Sequence, residues 1–600
     1  MVAWNGSAGG HEREGARRVF GSGDAAPPAL SRADLLAARF GVVKVLNYQR
    51  AGTPFVSNIS LAILSGLLLV FAFPDWNFWS FGWIAVAPLI MASAREQRFW
   101  SALLLGLITG TIFYVGSSYW VDYSIHNYGG VPLWLCYVID VVGAGALAIF
   151  TGLFAGTLAR AIARFGGWAI LLAPVLWAAS EWGRLKVTGM GWNALGYSQA
   201  FQPSVIQSAR WGGVYLVSAL LVSVNAALVF AMIYLERRRG VVVLTIAGII
   251  AAANLLHGQS LRQKPDLKGS ISVGVVQPNI PIDGDWSNPA FVSSMVERHL
   301  KLSEQLLSQA GTQNPNGAAG ANLRVLIWPE SPMPLEYDRD PDLRDQLARF
   351  TRGHGVYLIL NSWESAGGKD LFNSAIVIGP AGGKVSEYDK IALLPYGEYV
   401  PGRDWIPFMK RVTALVGDVT PGKALTLSDV AGARLGTFIC FEVTRPDIAR
   451  EMRRQGASAL IQLSNEAWFG PTAAPRQVLA EAVFRAVENN VELIRSTNSG
   501  ESARIDRRGN VYAVTSGFEA TTRTWQIKTA EEARLDSLTF YTRRGDVFAA
   551  ASTCASILVL ILAFLPRRAD PKGRLFRGRG PGQPDGPGNF KRSQRNDRRA

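Results

Sequence analysis

Cysteine is almost absent from this chain. Among 600 residues there are three, Cys136, Cys440 and Cys554, too few and too scattered for a disulfide framework or a thiolate zinc site. Histidine is nearly as rare, with five in all and none after His354, which argues against a cysteine–histidine site around Cys440. No glycine-rich phosphate loop, paired-histidine metal motif or dinucleotide fingerprint is present, so no cofactor is implied. The first 50 residues carry no apolar core behind a charged start and are not expected to be a cleaved secretory signal.

Long apolar runs are missing from one half only. Residues 56–73, 77–94, 101–121, 131–158, 168–183, 212–235 and 241–257 each hold a stretch of membrane-spanning length, then none follows until 547–565. The expected fold class is therefore an α-helical membrane domain of eight spans carrying one large polar insertion. Lys and Arg cluster in alternate connections: Arg95 and Arg98, Arg160 and Arg164, Arg237 to Arg239, and the run from Arg567 to Arg579. The connection from Tyr119 to Val131 has none. Because cytoplasmic loops are the basic ones, both termini are expected in the cytoplasm and the insertion on the far face. The loop with Arg184, Lys186 and Arg210 is a mild exception.

These boundaries divide the chain into a largely disordered cytoplasmic leader (1–54), seven spans (55–258), a polar domain (259–546), an eighth span (547–565) and a basic cytoplasmic tail (566–600). Ser31-Arg32-Ala33-Asp34 before Leu35 reads as the start of a short interfacial helix. The net charge of +15 sits mainly in the basic connections and the tail, which suits anionic lipid headgroups better than nucleic acid. The tail is expected to be dispensable for catalysis.

In the polar half, β-branched runs alternate with amphipathic segments. Strands are expected at 271–276, 325–328, 356–360, 375–378, 435–440, 459–463 and 493–497, and helices at 291–309, 343–352 and 477–490, with a loop over 311–322. That alternation indicates a layered α/β domain. Chemistry in such domains gathers where strands end, and Glu330, Cys440 and Asn465 each follow an apolar run directly. Lys390 closes Tyr388-Asp389-Lys390, just before Leu394-Pro395-Tyr396-Gly397-Glu398.

A thiol needs its proton removed before it attacks. A buried carboxylate such as Glu330 can take it, and a fixed cation such as Lys390, with the amides at Cys440 and Phe441, can hold the oxyanion that results. Thr444 and Asp447 fit a helix cap close behind the sulfur. Singly, each residue has an ordinary reading: Cys440 a buried apolar group, Glu330 a cap, Lys390 a surface charge, and Glu398, Asn465 and Arg495 pairing residues. The ordered set carries the argument.

That set resembles the nitrilase superfamily, whose members place a Glu-Lys-Cys triad in an αββα sandwich. With the membrane frame added, the chain is more closely similar to the apolipoprotein N-acyltransferase family of the bacterial inner membrane. The matching text spans about residues 55 to 565. It runs through Trp120-Val121 and Tyr128-Gly129-Gly130, Gly191-Trp192 and Leu195-Gly196-Tyr197-Ser198-Gln199, and Val276-Gln277-Pro278-Asn279-Ile280-Pro281. It continues with Trp328-Pro329-Glu330-Ser331, Tyr388-Asp389-Lys390, Gly397-Glu398-Tyr399-Val400-Pro401, Cys440-Phe441-Glu442, Ala467-Trp468-Phe469-Gly470, Arg495-Ser496-Thr497-Asn498 and Tyr541-Thr542-Arg543-Arg544-Gly545-Asp546.

The resemblance implies Glu330 as general base, Lys390 as oxyanion stabiliser and Cys440 as nucleophile, with Glu398, Glu442, Asn373 and Trp468 in supporting positions. Three departures stand out: Phe441 where Tyr is frequent, Glu466 where Asp is usual, and Val478 after Gln477 where His is common. The implied partners are a phospholipid acyl donor, a diacylated apolipoprotein acceptor and the bilayer, with no nucleic acid and a monomeric enzyme. The implied cycle is ping-pong, through a thioester. Aromatic segments Trp76 to Trp83, Tyr114 to Tyr128 and Trp192 to Phe201 suit an interfacial belt or the walls of a lipid route. A tethered amidase for small amides shares the triad. A transporter would line its path with charge, and only Asp140 and Glu181 stand out in the spans.

Overall fold

The structure, a computed structural model, describes residues 55–234, 238–263, 269–312, 323–331, 335–365, 371–400, 419–529 and 538–566. The leader with its Ser31 helix, most of the 311–322 loop and the basic tail lie outside the described residues.

The first part is helical. Its helices are α1 (Phe55–Ala72), α2 (Ala87–Glu96), α3 (Phe99–Ser117), α4 (Trp120–Asn127), α5 (Leu133–Phe165), α6 (Ala173–Thr188), α7 (Ala209–Tyr234) and α8 (Arg238–Arg262). Small residues let α3 and α5 approach closely: a Cβ on Gly106 would strike Thr151 O, and one on Gly110 would strike Ala148. Among the described residues, five helices are long and apolar enough to cross a bilayer, those at 99–117, 133–165, 206–234, 238–262 and 547–564, and Val56–Ala72 is a shorter apolar one.

Two of the expected spans are broken. Residues 77–94 become a 3-10 turn at Trp79–Trp83 and then ten-residue α2, and 168–183 become a turn at Gly167–Leu172 and then α6. Ten helical residues rise about 15 Å, half the hydrocarbon thickness. The physical reason is proline: Pro88 and Pro174 occupy the first turns of α2 and α6, where proline starts a helix and cannot continue one. Hydropathy does not register that break.

The polar part holds two six-stranded sheets, numbered in chain order as β1 (Gly269–Gln277), β2 (Val325–Ile327), β3 (Tyr357–Ser365), β4 (Leu371–Ile378), β5 (Lys384–Asp389), β6 (Leu427–Val430), β7 (Ala433–Ile439), β8 (Ala459–Ser464), β9 (Leu493–Thr497), β10 (Ala503–Ile505), β11 (Val511–Tyr512) and β12 (Thr521–Thr529). One sheet has the order β12-β1-β2-β3-β4-β5 and the other β11-β10-β9-β8-β7-β6. Each is parallel at its centre and antiparallel outward. Alternation sorts the first sheet's side chains: Val273, Val275, Val325 and Ile327 share a core with Leu435, Leu463 and Ile494 of the second, while Val276, Leu326, Leu358 and Ile376 pack outward with Leu306, Leu343 and Leu347. The outward partners come from α9 (Pro289–Thr312) and α10 (Pro341–His354).

On the other side, α11 (Pro446–Arg454) and α12 (Ala474–Asn489) cover the second sheet. Every residue of α12 except Arg476 is buried, because this helix lies between the sheet and the membrane helices. A short α13 (Phe540–Arg544) leads to α14 (Val547–Phe564). The expected cap at Thr444 and Asp447 is not formed. Cys440–Thr444 is a 3-10 turn, α11 starts after Arg445 without a side-chain cap, and Asp447 instead pairs with Arg445 at 2.8 Å. The proline at 446 fixes the helix start there, too far on for Thr444 to cap.

Candidate active site

Three strand ends deliver three side chains to one place. Glu330 follows β2, Lys390 follows β5 and Cys440 follows β7. The Cys440 thiol lies close enough to the Glu330 carboxyl for each to shift the other's proton affinity, and Lys390 Nζ lies 3.7 Å from Glu330 Oε1. Residues 60 and 50 positions apart in sequence therefore meet in one place.

A second carboxylate completes the group. Lys390 Nζ donates to Glu398 Oε1 at 2.8 Å, and Leu394 N donates to Glu398 Oε2 at 2.8 Å. Asn373, on β4, bridges the two acids, its Nδ2 donating to Glu330 Oε1 at 3.1 Å and to Glu398 Oε1 at 2.8 Å. Asn361 Nδ2 donates to Asn373 Oδ1 at 2.7 Å and so fixes the amide's orientation. The side chains of Glu330, Lys390, Glu398, Asn373 and Asn361 are buried, and Cys440 is half-buried as a residue.

Burial sets the protonation. It pushes the Glu330 carboxyl up, as does Glu398, while Lys390 and Asn373 pull it down. It pushes the Cys440 thiol well up, reinforced by Glu330 and opposed by Lys390. For Lys390 burial works downward, but Glu398, Glu330 and Cys440 outweigh it and the ammonium is held charged. The resting site thus holds a neutral thiol, a permanent cation and a carboxyl raised toward the working range of a general base. The expectation of a helix end favouring the thiolate is reversed here, because the adjoining element is a 3-10 turn and the acids face the sulfur.

Backbone geometry presents the sulfur. Cys440 has φ of 51°, a left-handed conformation that costs a residue with a Cβ about 1 to 3 kcal/mol. Two long-range contacts hold it. Gln462 Nε2 on β8 donates to Cys440 O at 3.3 Å, and Arg495 on β9 holds Gln462 Oε1 at 3.0 Å and Glu466 Oε1 at 2.6 Å. Glu442 braces the site from behind. Its Oε1 accepts from Tyr388 OH, Ile391 N and Ala392 N at 2.7 to 3.1 Å, and its Oε2 from Ile439 N at 2.8 Å. One carboxylate thereby ties the strand end bearing Lys390 to the strand end bearing Cys440.

Asn465 and Trp468 belong to the neighbouring loop. Asn465 Oδ1 accepts from Ala467 N at 3.2 Å and Asn498 Nδ2 at 3.1 Å. Trp468 is half-exposed and packs edge-on against Tyr128 at 5.2 Å. That contact joins its loop to the membrane helices. Gln462, Asn361 and Tyr388 are residues that sequence reasoning missed as site members, since each acts through a contact far away in sequence.

A family model described as "Apolipoprotein N-acyltransferase N-terminal domain" matches residues 65–227, and one described as "Carbon-nitrogen hydrolase" matches 272–535. The apolipoprotein N-acyltransferase of Geobacter metallireducens is 32% identical over 519 residues, covering 84% of this chain and 95% of its own. That of Allorhizobium ampelinum is 32% identical over 476 residues, covering 76% and 86%. The solved structure of the nitrilase-superfamily protein Nit3 from Saccharomyces cerevisiae covers 44% of this chain and 92% of its own, at 17% identity and TM-score 0.33. With relatives of this identity matched over nearly their whole length, the chain belongs to the apolipoprotein N-acyltransferase family, and its polar part is a carbon-nitrogen hydrolase domain.

Proposed function

We propose that this protein transfers a fatty acyl chain from a membrane phospholipid, through a thioester on Cys440, to the α-amine of a diacylglyceryl-cysteine at the start of an apolipoprotein. The observation that carries the reading is the meeting of Cys440, Glu330 and Lys390 in one buried group. In the first half-reaction Glu330 takes the thiol proton as the sulfur attacks the ester carbonyl. Lys390 faces the oxyanion, a stabilisation worth about 3 to 4 kcal/mol per donor. The carbon–oxygen bond breaks, Glu330 returns the proton to the departing alkoxide, and the lysophospholipid leaves. In the second half the acceptor's amine attacks the thioester, Glu330 takes the amine's proton, and the thiol is restored as the amide forms.

Glu398, with Asn373, keeps Lys390 and Glu330 in register, Glu442 braces the two strand ends, and Trp468 borders the site. The membrane frame supports the lipid half of the reading. Lifting an acyl chain into water costs about 0.8 kcal/mol per CH₂, and a site held at the bilayer surface avoids that. We place the protein in a bacterial inner membrane as a monomer, with eight passes counting the two broken ones, an αββα catalytic domain (259–546) on the periplasmic face and both termini in the cytoplasm.

Mass spectrometry of the purified protein after exposure to phospholipid tests this directly. A fatty-acyl adduct on Cys440 is expected in the wild type, absent in Cys440→Ala and suppressed in Glu330→Gln and Lys390→Ala. A wild-type protein left unmodified by phospholipid but turning over small amides would replace this reading with the amidase one.

A further inference from the structure

Among the contacts that join the catalytic domain to the membrane helices, one centres on a buried amide. Gln477 lies in the first turn of α12 and is 2% exposed. Its Oε1 accepts from Trp192 Nε1 at 2.7 Å and Trp120 Nε1 at 3.2 Å, with Asn193 Nδ2 at 3.5 Å. Its Nε2 donates to Pro74 O at 2.9 Å and Ser117 O at 2.8 Å. The partners come from four places: the turn after α1, the end of α3, the start of α4 and the loop after α6. Indole nitrogens only donate and carbonyls only accept, so the site needs an acceptor and a twofold donor on one short stem, and a carboxamide supplies both.

The same corner pins the loop beside the nucleophile. Phe469 packs edge-on against Trp120 at 4.8 Å and near Trp192 at 6.3 Å, so the two indoles held by Gln477 also seat this loop. Ser124 Oγ donates to Trp468 O at 2.7 Å and Tyr128 OH to Ala467 O at 3.1 Å. The loop begins at Asn465, directly after β8, the strand beside β7, which Cys440 directly follows.

We propose that Gln477 is a positioning residue that sets the register of Cys440 against the bilayer, so that a lipid-borne carbonyl and the sulfur meet. This rests on the acyl-transfer reading above. Gln477 touches neither the thiol nor its base, and its effect is specific to substrates presented by a membrane. Misplacement by 1 Å of a reacting pair costs on the order of a hundredfold. Gln477→Glu keeps the size but turns a lone pair toward two carbonyls. Gln477→Met removes every hydrogen bond and leaves two indole N–H groups orphaned.

The test uses the full-length protein in vesicles of phosphatidylethanolamine and phosphatidylglycerol. Both variants should retain alkylation of Cys440 by water-soluble iodoacetamide within about twofold, and lose acyl-adduct formation from the vesicle lipid by about tenfold or more. Hydrogen exchange should quicken at 120–127 and 466–470 and stay unchanged over 435–439. Alkylation and acylation falling together would make Gln477 an ordinary folding residue and overturn the proposal, as would acylation within about twofold of wild type. If the wild type takes no acyl chain from the vesicles, the acyl-transfer reading fails by itself. The exchange measurement still decides the clasp, since unchanged protection in both segments overturns it.

Discussion

Replacing Glu398 by Gln tests how the buried charges divide their work. Asn373 Nδ2 touches Glu330 Oε1 at 3.1 Å and Glu398 Oε1 at 2.8 Å, so the two oxygens are no more than about 6 Å apart. At an effective dielectric of about 20, like charges at that distance repel by about 3 kcal/mol, or about two powers of ten in proton affinity. Glu398 raises Glu330, hence its neutral replacement lowers it. The base works deprotonated, so the rate of thiol capture rises through the ionisation of Glu330, and the variant's acid limb must move to lower pH. With Lys390 between the acids partly cancelling their repulsion, the displacement is downward and smaller than that bare repulsion.

The assay is the rate of Cys440 alkylation by iodoacetamide, read by mass, over about pH 4 to 9. The plateau should also drop by about tenfold, because Lys390 loses its nearest carboxylate and swings toward Glu330. Leu394 N loses its acceptor as well, a local cost of about 1 to 3 kcal/mol. A thermal melt run alongside separates that loss from the pH effect. An acid limb that stays in place, or moves upward, would refute the assignment of Glu330 as the base whose affinity Glu398 sets.

Three further outcomes follow from the surrounding contacts. Arg495→Met leaves Glu466 buried without its cation and should cost about 3 to 5 kcal/mol in denaturant unfolding, with slower Cys440 alkylation because Gln462 loses its support. Glu442→Gln turns an NH₂ toward donors on two strand ends and should cost about 2 to 4 kcal/mol, read as a lowered midpoint with the adduct still confined to Cys440 in the folded fraction. Gly470 has φ of 60° and no room for a Cβ beside the Tyr123 ring. Gly470→Ala should therefore reduce acyl transfer, and adding Tyr123→Ala should restore part of it, a coupling that a double-mutant cycle measures.

Much of the catalytic fold was legible because local signals agreed. The strands at 271–276, 459–463 and 493–497 lie within β1, β8 and β9, since buried strands read as unbroken β-branched runs. Polar strands escaped: β5 (Lys-Val-Ser-Glu-Tyr-Asp) and β12 (Thr-Thr-Arg-Thr-Trp-Gln-Ile-Lys-Thr) are edge strands with half-exposed faces, and alternation interrupted by charge resembles a loop. In the membrane part, hydropathy sums over a window and passes across Pro88 and Pro174, where backbone chemistry restarts the helix.

The site divides in the same way. Glu330 and Cys440 were visible as polar residues directly after apolar runs. Asn373 drew attention only through the family resemblance, as an amide inside a strand carries no local mark, and Glu398 by itself had only the ordinary reading of a pairing residue. Glu442 was named through the resemblance as a supporting residue, and its hydrogen bonds to Tyr388 and three main-chain amides carry no mark in the sequence. Gln462, Gln477 and Arg495 act across 22 to 403 positions of chain, distances over which no sequence period exists. The fold alone supplies those contacts.

In the proposed cycle one sulfur carries the acyl chain between a lipid and an amine. Its most direct test is a single-turnover chase: protein loaded with labelled acyl chain on Cys440, freed of donor, then mixed with a diacylated lipopeptide bearing a free α-amine. The label should leave Cys440 and arrive on that amine with matching rates, while an N-acetylated lipopeptide leaves the thioester intact. Label released to water at the same rate with either peptide would contradict the account.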